Sequence, residues 1–342
     1  TIDRAIHDTG GPPIGWVGDA RNAEAFLATL AGALLVSTTL MFFITVVAMQ
    51  LATNQASPRL MTRVLRDGAT QVCLGLFVGT FTYCMLAVAA IEPARGGTAE
   101  YVPRLTVTVG VGLGVVCVAA FVWFVSHMVQ NLRIVTIIDR IAEEGFREVE
   151  RGDRRVQERP LDDAELPSGE PVLVLHHDRR PGVLTGFDAD RLVGLSSAAG
   201  CTFRLVPAVG EYVGPGYPLV EVFGSADRLA PDQVTAALDF RPERSIHQDP
   251  SWAIRQLVDI AQRALSPSVN DPTTAVQALD RVESLLHQLV ARPDDRGLYV
   301  DATGEVRLVV PSATWDGYVE LAFTEVRRHG WDSLQIIRRL RA

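Results

Sequence analysis

Three long runs of the sequence carry no charged side chain. They cover residues 25–51, 71–91 and 105–130. Each is at least as long as the ~20 residues that an α-helix needs to cross the hydrocarbon core of a bilayer. The first run is also too long for the apolar segment of a signal peptide. The sequence therefore predicts three transmembrane helices.

The arginines between these runs predict how the helices are oriented. Cytoplasmic loops of membrane proteins carry an excess of basic residues. The connection after the first run has three arginines and one acid, whereas the next connection has two arginines and two glutamates. We therefore expect the first connection, and everything after Asn131, to be cytoplasmic. The residues concerned are Arg59, Arg63, Arg66 and Asp67, then Glu92, Arg95, Glu100 and Arg104.

The rest of the chain is charge-rich and acidic. Residues 1–131 have no net charge, so the formal charge of −8 lies beyond them, and every basic residue is an arginine. The absence of lysine argues against a Walker-type phosphate loop, a pyridoxal or Schiff-base enzyme and a lipoylated carrier. An acidic half without a basic stripe also disfavours nucleic-acid binding.

Neither the cysteines nor the histidines predict a metal site. The cysteines lack paired spacing and are expected to be buried thiols. His176 and His177 are neighbours on a predicted strand, so they should point to opposite faces and not converge on a metal. His247 and Asp249 are explained by capping or a solvated surface. We expect no metal and no cofactor. The cysteines are Cys73, Cys84, Cys117 and Cys201.

The fold class predicted is a multi-pass α-helical membrane region followed by a cytoplasmic α+β domain. Residues 134–141 place isoleucines at helical spacing, so the third span should run on as an amphipathic helix that ends near Gly152. The predicted parts are an extracytoplasmic segment (1–24), three spans (25–131), an amphipathic helix with a linker (132–170), a β-rich subdomain (171–225) and a helical subdomain with a β-hairpin (226–342).

The β-rich subdomain is expected to resemble a small barrel. VLVLHH, GVLTGF, TFRLVPA and YPLVEVF are strand candidates, and DADRLVGLSSAAG predicts a short helix capped by Asp188. The turn AVGEYVGPGYPLVEV resembles the hairpin of a biotinyl or lipoyl-type barrel without its carrier lysine. A second hairpin is predicted across DATGE, followed by two C-terminal helices.

Polar residues lie at the predicted inner ends of the first and third spans. They are Gln50 and Asn54 in the first and His127, Gln130 and Asn131 in the third. Two interpretations are open. Such groups can lie at the headgroup level of the membrane, or they can line a pore or a proton-sensitive gate.

Two spans carry glycines four residues apart. Gly75 and Gly79 lie in the second span, and Gly110 and Gly114 lie in the third. Small residues at this spacing let helix backbones approach closely in lipid. They predict packing of helices within a subunit or between subunits.

The most distinctive polar string is ALSPSVNDPTTA, at residues 264–275. Pro267 cannot comfortably extend the helix before it, and Asn270 or Asp271 can cap the next helix with Pro272 in its first turn. The string therefore predicts a rigid corner between two helices. A reactive loop is the alternative.

Three strings make the sequence similar to a known bacterial family. QLATNQASPR, FVSHMVQNL and ALSPSVNDPTTA resemble the membrane-protein family called domain of unknown function 2254. The resemblance implies a multi-pass inner-membrane protein with a cytoplasmic C-terminal domain, and an additional hydrophobic span at the start of complete members. It implies no catalytic residues.

The function expected from these features is that of a homo-oligomeric channel or transport protein in contact with membrane lipid. Three or four short-looped spans enclose little by themselves, so a path for solute should form between subunits. The alternative is a membrane-anchored scaffold or regulator whose protein partner the sequence does not identify. The chain has neither a GxSxG elbow nor a cysteine with a convincing histidine partner, so an enzyme is not expected.

Overall fold

A computed structural model describes residues 15–55, 68–91, 101–131, 133–152, 167, 169–227, 229–291 and 297–341. The chain divides into two compact units, Thr1–Thr136 and Ile137–Ala342. The connections whose arginines predict the orientation, around residues 59–67 and 92–100, lie outside the described residues apart from Arg104.

The first unit is built from three long helices. They are α1 (Ala20–Gln55), α2 (Gly68–Ala89) and α3 (Arg104–Asn131). Each contains a stretch that is long and apolar enough to cross a membrane: Ala20–Gln50, Gly68–Ala89 and Arg104–Gln130. The three charge-free runs therefore correspond to three helices, as the sequence predicts.

The helices pack around an apolar centre and expose apolar side chains outside it. Met41, Phe77 and Phe124 are buried between them, whereas Phe43 is 65% exposed and Leu86 is 68% exposed. In water such a surface would be unusually apolar, but lipid tails solvate it well. Cys73, Cys84 and Cys117 are buried free thiols in this unit, and Cys201 is buried in the second.

Hydroxyl groups on these helices bond to their own backbone. Thr39 Oγ1 donates to the carbonyl of Leu35 at 3.0 Å, and Ser126 Oγ donates to that of Val122 at 3.0 Å. This i to i−4 bond satisfies a hydroxyl without a partner helix. The same pattern holds for Thr29, Thr38, Thr45, Thr82 and Thr108.

The second unit, which begins at Ile137, contains most of an amphipathic helix, α4 (Ile134–Gly152). The expectation that the third span runs on without a break is wrong, because α3 ends at Asn131 and Arg133 is not helical. The predicted end near Gly152 is confirmed. Gly145 lies on the buried face of α4, where a Cβ atom would come within 2.8 Å of Ala253 Cβ, so close packing at this point requires glycine.

Two open sheets follow, not a closed barrel. The strands are β1 (Leu173–His176), β2 (Gly182–Phe187), β3 (Cys201–Leu205), β4 (Tyr212–Val213), β5 (Pro218–Gly224), β6 (Leu238–Arg241), β7 (Leu298–Val300) and β8 (Val306–Val309). One sheet has the order β1-β5-β3-β8-β7 and the other β4-β2-β6.

The barrel expectation is wrong because a distant strand takes the edge that closure would need. β8 pairs with β3 in parallel, Phe203 opposite Leu308, and the β7–β8 hairpin then extends the sheet outwards. Strands from both sides of residue 225 therefore share each sheet, since β6 pairs with β2, here antiparallel. The strand candidates and the DATGE hairpin are confirmed as elements.

Six helices complete the second unit with α4. Asp188 caps the first of them, accepting a bond from Arg191 N at 3.1 Å, as predicted. The helices that contain Leu257 and Leu285, α7 and α8 below, each bury an apolar face. The helices after α4 are α5 (Ala189–Ala199), α6 (Pro231–Thr235), α7 (Pro250–Ala264), α8 (Pro272–Val290), α9 (Trp315–His329) and α10 (Leu334–Arg339).

The β7–β8 hairpin generates a prediction about acid stability. Asp301 accepts bonds from the hydroxyl and backbone N–H of Thr303 and from Arg307 Nε at 2.7 Å, and these bonds hold the pKa of its carboxyl well below the usual range. A lowered pKa in the folded state stabilises the fold above the unfolded pKa of about 3.9, and that stabilisation is lost as the pH falls further.

We expect Asp301→Asn to lower the melting temperature of the purified chain at pH 7, and the gap between variant and wild type to close as the pH falls below about 4. Thermal melts across this pH range measure it. Asp332→Asn, which changes an exposed carboxylate elsewhere in the unit, is the control. A gap that stays constant with pH would contradict the prediction.

Candidate functional site

An ion pair marks the start of α7. Arg244 Nε donates to Asp249 Oδ2 at 2.6 Å, and its Nη2 donates to Asp249 Oδ1 at 3.2 Å and to Ser251 Oγ at 2.9 Å. The guanidinium also lies 4.9 Å from the centroid of the Trp252 ring. Asp249 is only 4% exposed, and such a buried carboxylate requires this pairing. The pair therefore fixes Arg244 in one position.

Gln248 connects the same turn to α4 and to β2. Its backbone N–H donates to the buried Glu148 Oε1 at 2.9 Å. Its side-chain amide bonds both to the N–H and to the carbonyl of Phe187, each at 3.0 Å, as a neighbouring strand would. Gln248 has a φ of 56°, a left-handed conformation that costs free energy in a residue other than glycine. These bonds hold it there.

These groups form part of the wall of a cavity of about 860 Å³ within the second unit. Apolar and aromatic side chains also line the cavity. The polar lining includes Glu148, Arg151, Glu211, Arg244, His247, Gln248, Asp249 and Ser251, and the aromatic lining Phe187, Tyr299, Trp315 and Tyr318.

Two carboxylates of the cavity wall, Glu148 and Asp249, are paired with neighbouring arginines, whereas Glu211 accepts a bond from Ala208 N. Glu148 accepts a bond from Arg151 Nη1 at 3.2 Å and lies 3.7 Å from His247 Nδ1. Asp249 is held by Arg244. A mixed wall of aromatic rings and fixed polar groups is typical of small-molecule binding sites.

Sequence reasoning missed this site. It assigned Asp249 to helix capping, and Asp249 does occupy the N-cap position of α7, but its side chain binds Arg244 and Ser251 and makes no capping bond. Among the described residues no group of three or more His, Cys, Asp or Glu side chains is arranged to hold a metal ion. His177 is buried and its Nε2 donates to the carbonyl oxygen of Arg180 at 3.0 Å, whereas His176 is exposed.

Of the polar residues at the span ends, Gln50 and Gln130 lie outside the apolar centre of the helices. Gln50 and Gln130 are exposed, and His127 is half-buried with its ring stacked on that of Trp123, centroids 5.3 Å apart. Asn54 and Asn131 belong to α1 and α3, but their side chains lie outside the described residues. The structure does not bring Gln50 and Gln130 into the centre of the three helices.

The two glycine pairs have different surroundings. A Cβ atom on Gly110 would come within 2.9 Å of Leu27, and one on Gly114 within 3.0 Å of Leu30, so this pair packs against α1. A Cβ atom on Gly75 or Gly79 would meet nothing within 4 Å. Gly75 and Gly79 therefore form an open face on α2.

ALSPSVNDPTTA forms the turn between α7 and α8. Asp271 is the N-cap of α8, accepts bonds from Thr274 N at 3.1 Å and Thr274 Oγ1 at 2.6 Å, and precedes Pro272. These bonds lower the pKa of Asp271, the hydroxyl of Thr274 contributing most. Asn270 has a φ of 48°, and Pro267 is exposed in the turn. The geometry is that of a corner.

Gly210 allows a specific test of the cavity wall. Its φ is +93°, and a Cβ atom would come within 2.6 Å of Asp249 Oδ2 and would also overlap Arg244. Gly210→Ala should therefore break the ion pair. Gly216 has a similar φ of +82° with nothing within 4 Å of a Cβ atom, so Gly216→Ala carries the backbone strain alone.

We expect Gly216→Ala to cost about 1 kcal/mol of unfolding free energy and Gly210→Ala about 3 kcal/mol more, because it leaves a buried carboxylate unpaired. Chemical unfolding of the full chain, followed by tryptophan fluorescence, measures both. Equal losses in the two variants would show that the pair does not stabilise the wall.

Comparison with known proteins identifies the family of the chain. The chain matches a family described as predicted membrane protein, DUF2254, over residues 1–342. It is 30% identical over 331 residues to uncharacterized proteins of Mycobacterium tuberculosis and Mycobacterium bovis, covering 92% of this chain and 61% of each relative. It thus spans about three fifths of their length, and no solved structure matches it. The chain belongs to the DUF2254 family of predicted membrane proteins.

Proposed function

We propose that this protein is a homo-oligomeric channel or transport protein of the bacterial inner membrane, with a cytoplasmic regulatory C-terminal unit. The observation that carries the proposal is the apolar centre of the three helices. Leu34, Met41, Phe77 and Phe124 fill it, so the described part of one chain offers no polar path along its axis. A path for a polar solute therefore requires a second copy.

The open face of α2 supports assembly from several copies. Gly75 and Gly79 are exposed, and no neighbouring atom of their own unit occupies the space beside them. A glycine in a helix costs about 1 kcal/mol relative to alanine. In lipid, association depends on close backbone approach, which glycine permits. An α2 helix from another copy would use this face.

Exposed amides at the inner ends support a polar path between the copies. Gln50 and Gln130 each carry a side chain that lipid cannot hydrogen-bond. Polar residues in spans usually face a bundle interior or a water-filled passage. In an oligomer, the outer surface of one chain becomes the lining of the assembly, which gives these amides water or a partner.

The cavity of the second unit supports a regulatory role for it. Asp249 is held in an ion pair with Arg244, and aromatic rings lie beside fixed polar groups in the lining, as in sites that bind small molecules. On this proposal the protein is not an enzyme. A small molecule bound beside Trp315 and Arg244 would regulate transport by the membrane unit.

The glycine pairs test the assembly. We expect Gly75→Leu with Gly79→Leu to convert the purified oligomer into folded monomers, because the new side chains block the open face. Native mass spectrometry in detergent gives the stoichiometry, and circular dichroism checks the helices. Gly112→Leu is the matched control, since Gly112 is exposed on α3 with nothing within 4 Å of its Cβ position.

Leucine at the packed pair should act differently. Gly110→Leu with Gly114→Leu collides with Leu27 and Leu30 of the same chain, so it should reduce the folded yield. An oligomer that survives Gly75→Leu with Gly79→Leu would exclude α2 as the interface. A wild-type chain that is monomeric and passes no solute would leave the membrane-anchored binding protein as the remaining function.

The amides test the path. In liposomes loaded with potassium chloride and a voltage-sensitive dye, we expect Gln50→Leu with Gln130→Leu to reduce flux at least tenfold, because an apolar constriction excludes hydrated ions. The oligomer should remain intact. Thr39→Val is the control, since the Thr39 hydroxyl is exposed but already bonded to its own helix. Unchanged flux in the glutamine variant would place the path elsewhere.

A further inference from the structure

The corner between α9 and α10 exposes two large apolar side chains. Trp331 is 74% exposed and Leu334 is 69% exposed, although both belong to the second unit, which has its own apolar core. The corner itself is well fixed. Gly330 N donates to the carbonyl of Val326 at 2.8 Å, and Ser333 N donates to that of Gly330 at 3.1 Å. The two side chains are thus held outwards by a defined turn.

Basic side chains surround them. Arg327, Arg328, Arg338 and Arg341, here called the corner arginines, are all exposed. None of the four forms an ion pair with any residue that the structure describes. Arg339 behaves differently, because its Nε donates to Asp280 Oδ1 at 2.6 Å and its Nη2 pairs with Glu283. Residues 327–341 contain five arginines and one acid in a chain whose net charge is −8.

The short helix α10 carries its buried and ion-paired residues on one face and its exposed residues on the other. Ile336 is fully buried, and Arg339 points to α8. Leu334 and Arg338 are four residues apart, so they share the opposite face of α10, and Arg341 follows the end of the helix. An apolar side chain beside an arginine on one exposed face is typical of a helix that lies at a membrane surface.

Helix capping explains only part of this pattern. Cations in the last turn of a helix interact favourably with its dipole, which accounts for Arg327 and Arg328 at the end of α9. It does not account for two exposed apolar side chains beside them, or for Arg341, which lies after α10. Their combination requires a partner that is both apolar and anionic.

We propose that the α9–α10 corner docks on the surface of an anionic lipid bilayer. Trp331 and Leu334 would enter the headgroup region, where indole rings are favoured, and the corner arginines would bind lipid phosphates. The chain belongs to a membrane-protein family, so its second unit is tethered to a bilayer and the lipid surface is present at a high effective concentration. A patch of this size is sufficient under that condition.

The test uses the full chain in liposomes. Leu334→Cys places a thiol at an exposed position, where an environment-sensitive fluorophore is attached, and the labelled wild type corrects for the four native cysteines. We expect a blue-shifted emission, quenched by brominated lipid, in vesicles of phosphatidylcholine with phosphatidylglycerol. Vesicles of phosphatidylcholine alone should give much less of both signals, and high salt should reverse them.

Replacing the corner arginines with glutamine should lower the ratio of docked to undocked label about fivefold for each arginine removed. Arg179→Gln with Arg180→Gln is the matched control, because both residues are exposed arginines of the same unit outside the corner. Label that remains in water in both lipids would overturn the proposal. So would an equal loss in the control, or a label shielded equally in phosphatidylcholine alone, which would indicate a protein contact.

Discussion

The hydrocarbon core of a bilayer cannot hydrogen-bond a polar group, and the first unit follows from that constraint. It requires helices, because only a helix pairs every backbone group within one segment. It also explains why Thr39 and Ser126 bond to the carbonyls four residues before them. Gln50 and Gln130 differ, since an exposed side-chain amide has no such local partner. The conflict at these two positions is the physical reason to expect further copies around one chain.

A buried carboxylate has a comparable role in the second unit. Glu148 lies on α4, accepts a bond from the backbone N–H of Gln248 and thereby holds the turn before α7. The amide side chain of Gln248 in turn bonds to Phe187 at the end of β2. One helix, one strand edge and one helix start are thus joined by a charge that has almost no contact with water. Removing it would leave Gln248 in a costly left-handed conformation that only its side-chain bonds to Phe187 support. The cavity beside these groups depends on the same turn.

Sequence reasoning succeeded where the cause is local. A charge-free run, an Asp188 side chain before a helix and a Gly-containing turn between two strands are each specified by neighbouring residues. It failed where the cause is distant. The barrel was wrong because β8 pairs with β3 about a hundred residues earlier, and the cavity was missed because Glu148, Gly210 and Arg244 are far apart in sequence. The short string QDPSW predicts the start of α7, because Asp before Pro is typical of a helix N-terminus. It does not reveal that the Asp249 side chain binds Arg244 and makes no capping bond.

The two glycine pairs have the same spacing in sequence but different surroundings in the structure. In sequence, Gly75 with Gly79 and Gly110 with Gly114 are equivalent, and each predicts packing within or between subunits. In the structure only the second pair is filled, by Leu27 and Leu30 of the same chain. Packing inside the subunit therefore needs one pair, and the other has no such role among the described residues. Because glycine weakens a helix in the absence of a packing partner, the unfilled face of α2 is the part of this unit that assembly explains best.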